Sequence, residues 1–224
     1  MQWAYGITTV PSRICELFPR TLDSLRRAGF DKPRIFVDGG KNGYDHFGLP
    51  VTYRETNLRT HGNFILSLYE LYIRDPSAER YAMFQDDFVT CAGLKEYLER
   101  WYPDKGYLNL YTFPHNQQLS LGREGWYESD QMGKGAVALV FSAEAIEVLL
   151  TSNHMFNRPK DPIRGHKSVD GGIVESFKKA GWKEYVHNPS LVQHTGLYSS
   201  MGNGQHALAV SFRGEEFDLR TLKC

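Results

Sequence analysis

A chain of 224 residues is long enough for one α/β domain with a core of its own, and basic and acidic residues balance at 26 each. That balance excludes recruitment of nucleic acid or anionic membrane by a global field, though not by a local basic groove. Three sparse cysteines (Cys15, Cys91, Cys224), without zinc spacing, argue against a disulfide framework and for a reducing compartment, the cytoplasm. No apolar run approaches the ~20 residues of a membrane span, and the first residues do not resemble a signal peptide.

Trp3 to Val10 reads as a first strand ended by Pro11. Ser12 is the expected cap of a helix running through Leu17, Leu22 and Leu25 to Gly29. Pro33 to Asp38 is a second strand ending in an acid, and together these elements make a βαβ unit. An acid in that place hydrogen-bonds a ribose in dinucleotide folds, but no Gly-rich phosphate loop follows the first strand. That absence argues against a Rossmann dehydrogenase. Thr8, Thr9 and Arg13 stand at the first strand's end instead, where they can meet a nucleotide base or phosphate. Taken singly, each is also explained by local capping. Val51 to Arg54 is a short third strand, and Thr60 opens an amphipathic helix that turns Phe64, Leu68, Leu71 and Tyr72 inward. The Gly62-Asn63 pair at its start either brings backbone close to a ligand or simply makes a good helix N-terminus.

The stretch from Arg80 to Thr90 carries the strongest signal. Tyr81 to Phe84 are apolar throughout, as in a strand buried on both faces, and the run stops at Gln85-Asp86-Asp87. Two adjacent carboxylates beyond a buried strand are either a surface turn or holders of a hard divalent cation, Mg2+ or Mn2+, that holds phosphate oxygens in turn. Leu94 to Trp101 reads as a helix and Tyr107 to Phe113 as a strand. Residues 114–134 fit no period and are expected to be a long loop on the acceptor side, with Trp126 and Tyr127 as stacking surfaces. Gly135 to Phe141 is a buried strand, Ser142 starts the next helix, and residues 153–166 form a second polar loop. Ser168 to Gly181 is a helix opening with Asp170, which is either an ordinary first-turn acid or a catalytic group. Trp182 to Val186 is the last strand.

This order of parts resembles the GT-A-fold, nucleotide-sugar-dependent glycosyltransferases over about residues 3–200. Gln85-Asp86-Asp87 occupies the place of their Asp-x-Asp-type metal motif, and Val169-Asp170 resembles the Glu-Asp pair that opens a helix in inverting members. The run Pro189-Ser-Leu-Val-Gln-His194 is similar to a segment of N-acetylglucosaminyltransferases of the IV type. Gln85 and Val169 depart from the pattern, each replacing an acid. The resemblance implies one α/β domain: a GT-A-like (Rossmann-like) mixed, mostly parallel sheet flanked by helices. Residues 1–90 would form the nucleotide-binding half, 91–200 the acceptor-binding half and 201–224 a tail.

The implied activity is metal-dependent, inverting transfer from a nucleotide-sugar, a UDP-sugar by family likeness, in a microbial or viral relative acting in the cytoplasm. Asp87 and His194 would hold Mn2+ or Mg2+, with Asp86 a ligand or ribose contact. Thr8, Thr9, Arg13, Asp38, Gly62, Asn63 and Gln85 would surround the nucleotide. Asp170 would be the general base that takes the acceptor's proton. The acceptor stays open between a saccharide and a hydroxymethylated base in DNA, for which His154, Arg158, Lys160, Arg164, His166 and Lys167 offer a local basic face. Two other readings stay open: a nucleotidyltransferase, although it should show a basic Gly-rich phosphate loop, and a nucleotide- or carbohydrate-binding module without catalysis.

Overall fold

The structure, a computed structural model, describes residues 1–162, 167–196 and 206–222. Its strands are β1 (Trp3–Thr9), β2 (Arg34–Asp38), β3 (Val51–Arg54), β4 (Arg80–Gln85), β5 (Phe88–Thr90), β6 (Gly106–Asn109), β7 (Gly125–Glu128), β8 (Ala138–Ser142), β9 (Lys183–Asn188) and β10 (Val192–His194). Eight of them form one mixed sheet in the order β3-β2-β1-β4-β8-β6-β9-β7, and β10 pairs with β5 in a separate ribbon. The β3-β2-β1-β4 half is parallel, as is β6 with β9. The strand β8 runs against both its neighbours, and β7 runs against β9.

Helices cover both faces, which is why β4 is apolar without alternation. Ala82 and Phe84 pack on one side with Phe18, Leu22 and Leu25 of α1 (Leu17–Arg27) and Leu94 and Leu98 of α3 (Leu94–Leu98). Tyr81 and Met83 pack on the other with α2 (Arg59–Arg74), α5 (Ala143–Leu150) and α7 (Val169–Lys179). Burying one side chain the size of Phe84 contributes roughly 2–3 kcal/mol, so the strand leading to the acids is held from both sides.

Several local expectations are corrected. Ser12 does not cap α1. The segment Pro11–Arg13 winds as a 3-10 turn and α1 begins at Leu17 without a side-chain cap, because Pro11 starts a turn by its fixed φ alone. The segment 114–134 is not structureless: it holds α4 (Pro114–Leu119) and the edge strand β7. Its aromatics are engaged in packing rather than presented to an acceptor. Trp126 stacks on Trp101 at 5.6 Å and meets His187 edge-on, and Tyr127 Oη donates to Asn116 O. A one-turn helix, α6 (Asn153–Phe156), replaces part of the second loop. Residues 206–222 are no free tail either: Leu219 is fully buried, and Ala92 exchanges backbone hydrogen bonds with Phe217 and Leu219.

Candidate metal and nucleotide site

A cavity of about 460 Å³ opens at the carboxyl ends of β1, β2 and β4, where ligands gather in open α/β sheets. Thr8 and Thr9 end β1, Asp38 ends β2, Gln85 ends β4 and Asp86 follows it; all five line the cavity. Arg13, Asn63, Asp87, Asp170 and His194 line it from other elements. Gly62 does not. It lies in the first turn of α2, where an added Cβ would meet Leu58 at 3.0 Å.

The two adjacent acids have different surroundings. Asp86 is buried, accepting from Thr9 Oγ1 at 2.5 Å on Oδ2 and from the Arg13 guanidinium on Oδ1. Burial pushes its pKa up to about 6, against the opposing pull of Arg13. Tyr44 Oη lies 2.9 Å from Thr9 Oγ1 and completes this wall. With both oxygens engaged, Asp86 stands apart from the group of donor atoms described next. Arg13 also reaches Asp87 Oδ2 at 2.8 Å, so one cation serves both carboxylates. Burial lowers the arginine's pKa and the two acids more than offset it.

Asp87 is brought to His194 by the ribbon that sequence reading did not anticipate. The strand β5 starts directly after the acids and pairs antiparallel with β10, aligning Phe88 with His194. Thr195 N then donates to Asp87 O at 2.8 Å. Asp87 Oδ2 lies 3.7 Å from His194 Nδ1, and the His194 ring stacks on that of His206 with centroids 4.0 Å apart. Asp87, His194 and His206 offer one ligand atom each, all within 4.8 Å of one another. Asp87 Oδ1, His194 Nδ1 and His206 Nε2 are buried without a hydrogen-bond partner among the described residues. Buried polar atoms are normally paired, so this donor set fits a cation. Burial lowers the His194 pKa, favouring the neutral ring that a ligand requires. His206 was missed by sequence reasoning, because it lies in a Gly- and Ser-rich stretch with no period or motif around it.

Across the cavity from these donors, several of the expected contact residues hold the site's frame. Thr8 Oγ1 donates to Phe84 O at 3.2 Å, bridging β1 and β4. Asp38 Oδ1 accepts from Leu58 N at 2.8 Å and steadies the start of α2, while burial raises its pKa. Asn63 accepts from Arg54 Nε at 2.9 Å and donates to Phe36 O at 3.3 Å. Gln85 Nε2 donates to Ala136 O at 2.8 Å. An amide suits this place, because a carboxylate would face the Ala136 carbonyl with no proton between them.

Asp170 enters from the first turn of α7, whose N-cap Ser168 accepts from Gly171 N. Its Oδ2 accepts from Gly135 N at 2.8 Å. Burial pushes its pKa up, opposed by hydrogen bonds from the Ala136 and Gly135 backbone. Gly135 has φ +75° and its Cβ position is filled by the Tyr111 ring, so only glycine can present that N–H. Behind it, Asn109 Nδ2 donates to Lys134 O at 3.1 Å and to Glu184 Oε1 at 3.1 Å. Glu184 is itself buried and accepts from Tyr107 Oη and Ser129 Oγ. Val169, where the resembling enzymes carry an acid, is a core residue packed with Ile173 and Phe177 in one cluster.

No protein-family model matches the chain, and no curated protein is recognisably similar to it.

The expected basic face is largely occupied with its own chain. Arg158 Nη1 lies 3.0 Å from His154 Nε2, and its guanidinium fills the space beside Gly171 on α7. Lys167 Nζ donates to Phe156 O. Arg164 and His166 lie outside the described residues. Among the described residues no helix is long and apolar enough to cross a membrane.

Proposed function

We propose that the protein is a metal-dependent, inverting glycosyltransferase of GT-A type that moves a sugar from a nucleotide diphosphate donor, a UDP-sugar by family likeness, to an acceptor hydroxyl. The observation that carries this reading is the convergence of Asp87, His194 and Asp170, from three distant parts of the chain, on one cavity at the ends of parallel strands. The nucleoside end would lie over Thr8, Thr9, Asp38 and Asn63. Asp87, His194 and His206 would hold the cation, Mn2+ or Mg2+ in the simplest form of the reading. Bound there, it supplies Lewis-acid charge to the diphosphate leaving group. Arg13, shared by the two acids, adds a second positive charge at the same end of the donor.

Asp170 would take the proton from the attacking hydroxyl. Its raised pKa brings it closer to a working base than an ordinary aspartate, and the Gly135 N–H fixes the orientation of its carboxylate. A base on the face opposite the leaving group makes a single displacement with inversion. The acceptor is a saccharide or a modified base in DNA; the engaged state of Arg158 and Lys167 favours the saccharide.

The test is incubation with a panel of nucleotide-sugars, metal and acceptor mixtures, with the anomeric configuration of the product read by NMR. Transfer with inversion is expected. Asp87→Asn should lose metal-dependent donor binding, whereas Asp170→Asn should keep binding and lose turnover. Metal-independent nucleotide binding with no turnover of any donor would replace this reading with a binding module.

A further inference from the structure

We propose that Glu184 is a positioning residue for Asp170: through the side chain of Asn109 it holds the peptide between Lys134 and Gly135, whose N–H orients the Asp170 carboxylate. The inference rests on the proposed function for the meaning of Asp170, while the contacts themselves require no sugar transfer.

The first argument is that Glu184 is a buried acid with no cation to serve. It is 1% exposed. Lys183, beside it in sequence, pairs with Glu128, Lys134 pairs with Asp130, and among the described residues no ion pair reaches Glu184. Neutral donors meet it instead: Tyr107 Oη at 2.8 Å and Asn109 Nδ2 at 3.1 Å on Oε1, and Ser129 Oγ at 2.5 Å on Oε2. Ser129 Oγ already accepts from Gln131 N and Nε2, so its own hydrogen is left for the carboxylate. A buried acid without a cation is a poor choice for stability alone, since desolvation opposes it.

The path from Asn109 to Asp170 is the second argument. Both hydrogens of Asn109 Nδ2 are committed, one to Glu184 Oε1 and one to Lys134 O, each at 3.1 Å, and Oδ1 accepts from Tyr111 N at 3.2 Å. The amide is therefore fixed in one orientation. Lys134 C=O and Gly135 N–H belong to one planar peptide, so restraining its oxygen restrains its N–H. That N–H donates to Asp170 Oδ2 at 2.8 Å. Burial raises the pKa of Glu184, its three hydrogen bonds oppose the rise, and the Asp170 charge adds to it, so the two acids lie close enough to interact.

The third argument is that the same loop is fastened to Glu184 a second time. Gln131 Nε2 donates to Glu184 O at 2.9 Å, and Glu184 N donates to Gln131 Oε1 at 3.0 Å. Gln131 has φ +56°, a left-handed conformation that is strained for a non-glycine residue and persists only where its surroundings enforce it. Two residues on, the Cβ position of Gly133 lies 2.5 Å from Asp170 O, so the loop bears directly on the first turn of α7. One side of the loop touches Glu184 and the other touches Asp170.

The experiment compares Asn109→Ala, Glu184→Leu and Glu184→Gln in the whole chain, with Tyr97→Phe as a control that removes the buried contact to His187 outside this relay. The first readout is the amide proton of Gly135 by NMR, which needs no substrate. It should move upfield in Asn109→Ala and Glu184→Leu as the bond to Asp170 slackens. It should stay near its parent position in Tyr97→Phe and in Glu184→Gln, which keeps an acceptor for Asn109. The second readout is transfer: kcat should fall about 10–100-fold in Asn109→Ala and Glu184→Leu with the donor KM unchanged, and Glu184→Gln should recover most of the loss. Tyr97→Phe should lower the thermal midpoint and leave kcat unchanged. Should Glu184→Leu fail to fold, Asn109→Ala decides. An unmoved Gly135 signal in Asn109→Ala would overturn the proposal whatever the parent catalyses, as would a kcat that simply follows the thermal midpoint across the variants. If the signal moves as expected but the parent turns over no donor, the relay stands and the glycosyltransferase reading falls.

Discussion

Replacing Arg13 with methionine tests the charge arrangement at the base of the cavity. Arg13 Nη1 lies 2.5 Å from Asp86 Oδ1 and 2.8 Å from Asp87 Oδ2, and the three side chains are 13%, 4% and 2% exposed. Screening by water is therefore small, and deleting the cation strands two buried carboxylates. Breaking a buried pair in this way costs about 3–5 kcal/mol. In a domain of this size each kcal/mol lowers the thermal midpoint by about 2–4 °C, so a fall of roughly 6–20 °C is expected. The loss should depend on pH with a definite sign. Asp86 titrates at about 6 with Arg13 present, because burial raises it, and higher still without the arginine. Below that range it accepts a proton and ceases to need a partner, so the deficit shrinks from pH 8 to pH 5. Asp86→Asn in the Arg13→Met background should recover much of the loss at pH 8. The measurement is thermal unfolding followed by circular dichroism across that pH range. A loss under about 1 kcal/mol at pH 8, or no recovery in the double variant, would refute the buried-pair account.

Three further outcomes are expected. Asp170→Asn should lower turnover about 10²–10⁴-fold while sparing donor binding. Under the proposed function the acid limb of the parent's rate profile should lie above the ordinary aspartate range, since Asp170 would act only when deprotonated and burial raises its pKa. Gly135→Ala should cost at least about 1–2 kcal/mol from φ +75° alone; the crowding against Tyr111 should move the Asp170 partner and reduce turnover beyond what the stability loss explains. Acid should weaken the fold through His187, which is fully buried between Tyr97 Oη and Pro189 O and has its pKa lowered to about 4 by burial. The unfolded chain takes its proton first, near pH 6.5, so this stability is present above 6.5 and lost on descent to 4. The gap of roughly 2.5 pH units amounts to about 3 kcal/mol. Urea unfolding at pH 7 and 4.5 measures it, and His187→Gln should flatten the difference.

Much of the molecule was legible from local pattern. The strand ending in Gln85-Asp86-Asp87 reads from its apolar run, and the helix at Asp170 from its Ser168 cap and closing glycine, because both signals lie within a few residues. Trp126 was misread for a general reason: an aromatic in a polar stretch looks free until the neighbour it stacks on is known, and Trp101 lies far from it in sequence. Gln85 and Val169 looked like losses from an acidic pattern. One donates to Ala136 O and the other packs in the core, contacts that no local window contains.

The sequence by itself determined the alternation of strands and helices, the acids at a strand end, and an uncommitted imidazole late in the chain. Only the tertiary structure decided which acid keeps a free oxygen and which imidazoles join it. Pairing of β5 with β10 sets Asp87 beside His194, packing of the last residues returns His206, and Arg13 removes Asp86 from the set. Periodicity records which face of an element is buried; it carries no record of which distant side chain lies opposite, and ligand sets are made of such oppositions.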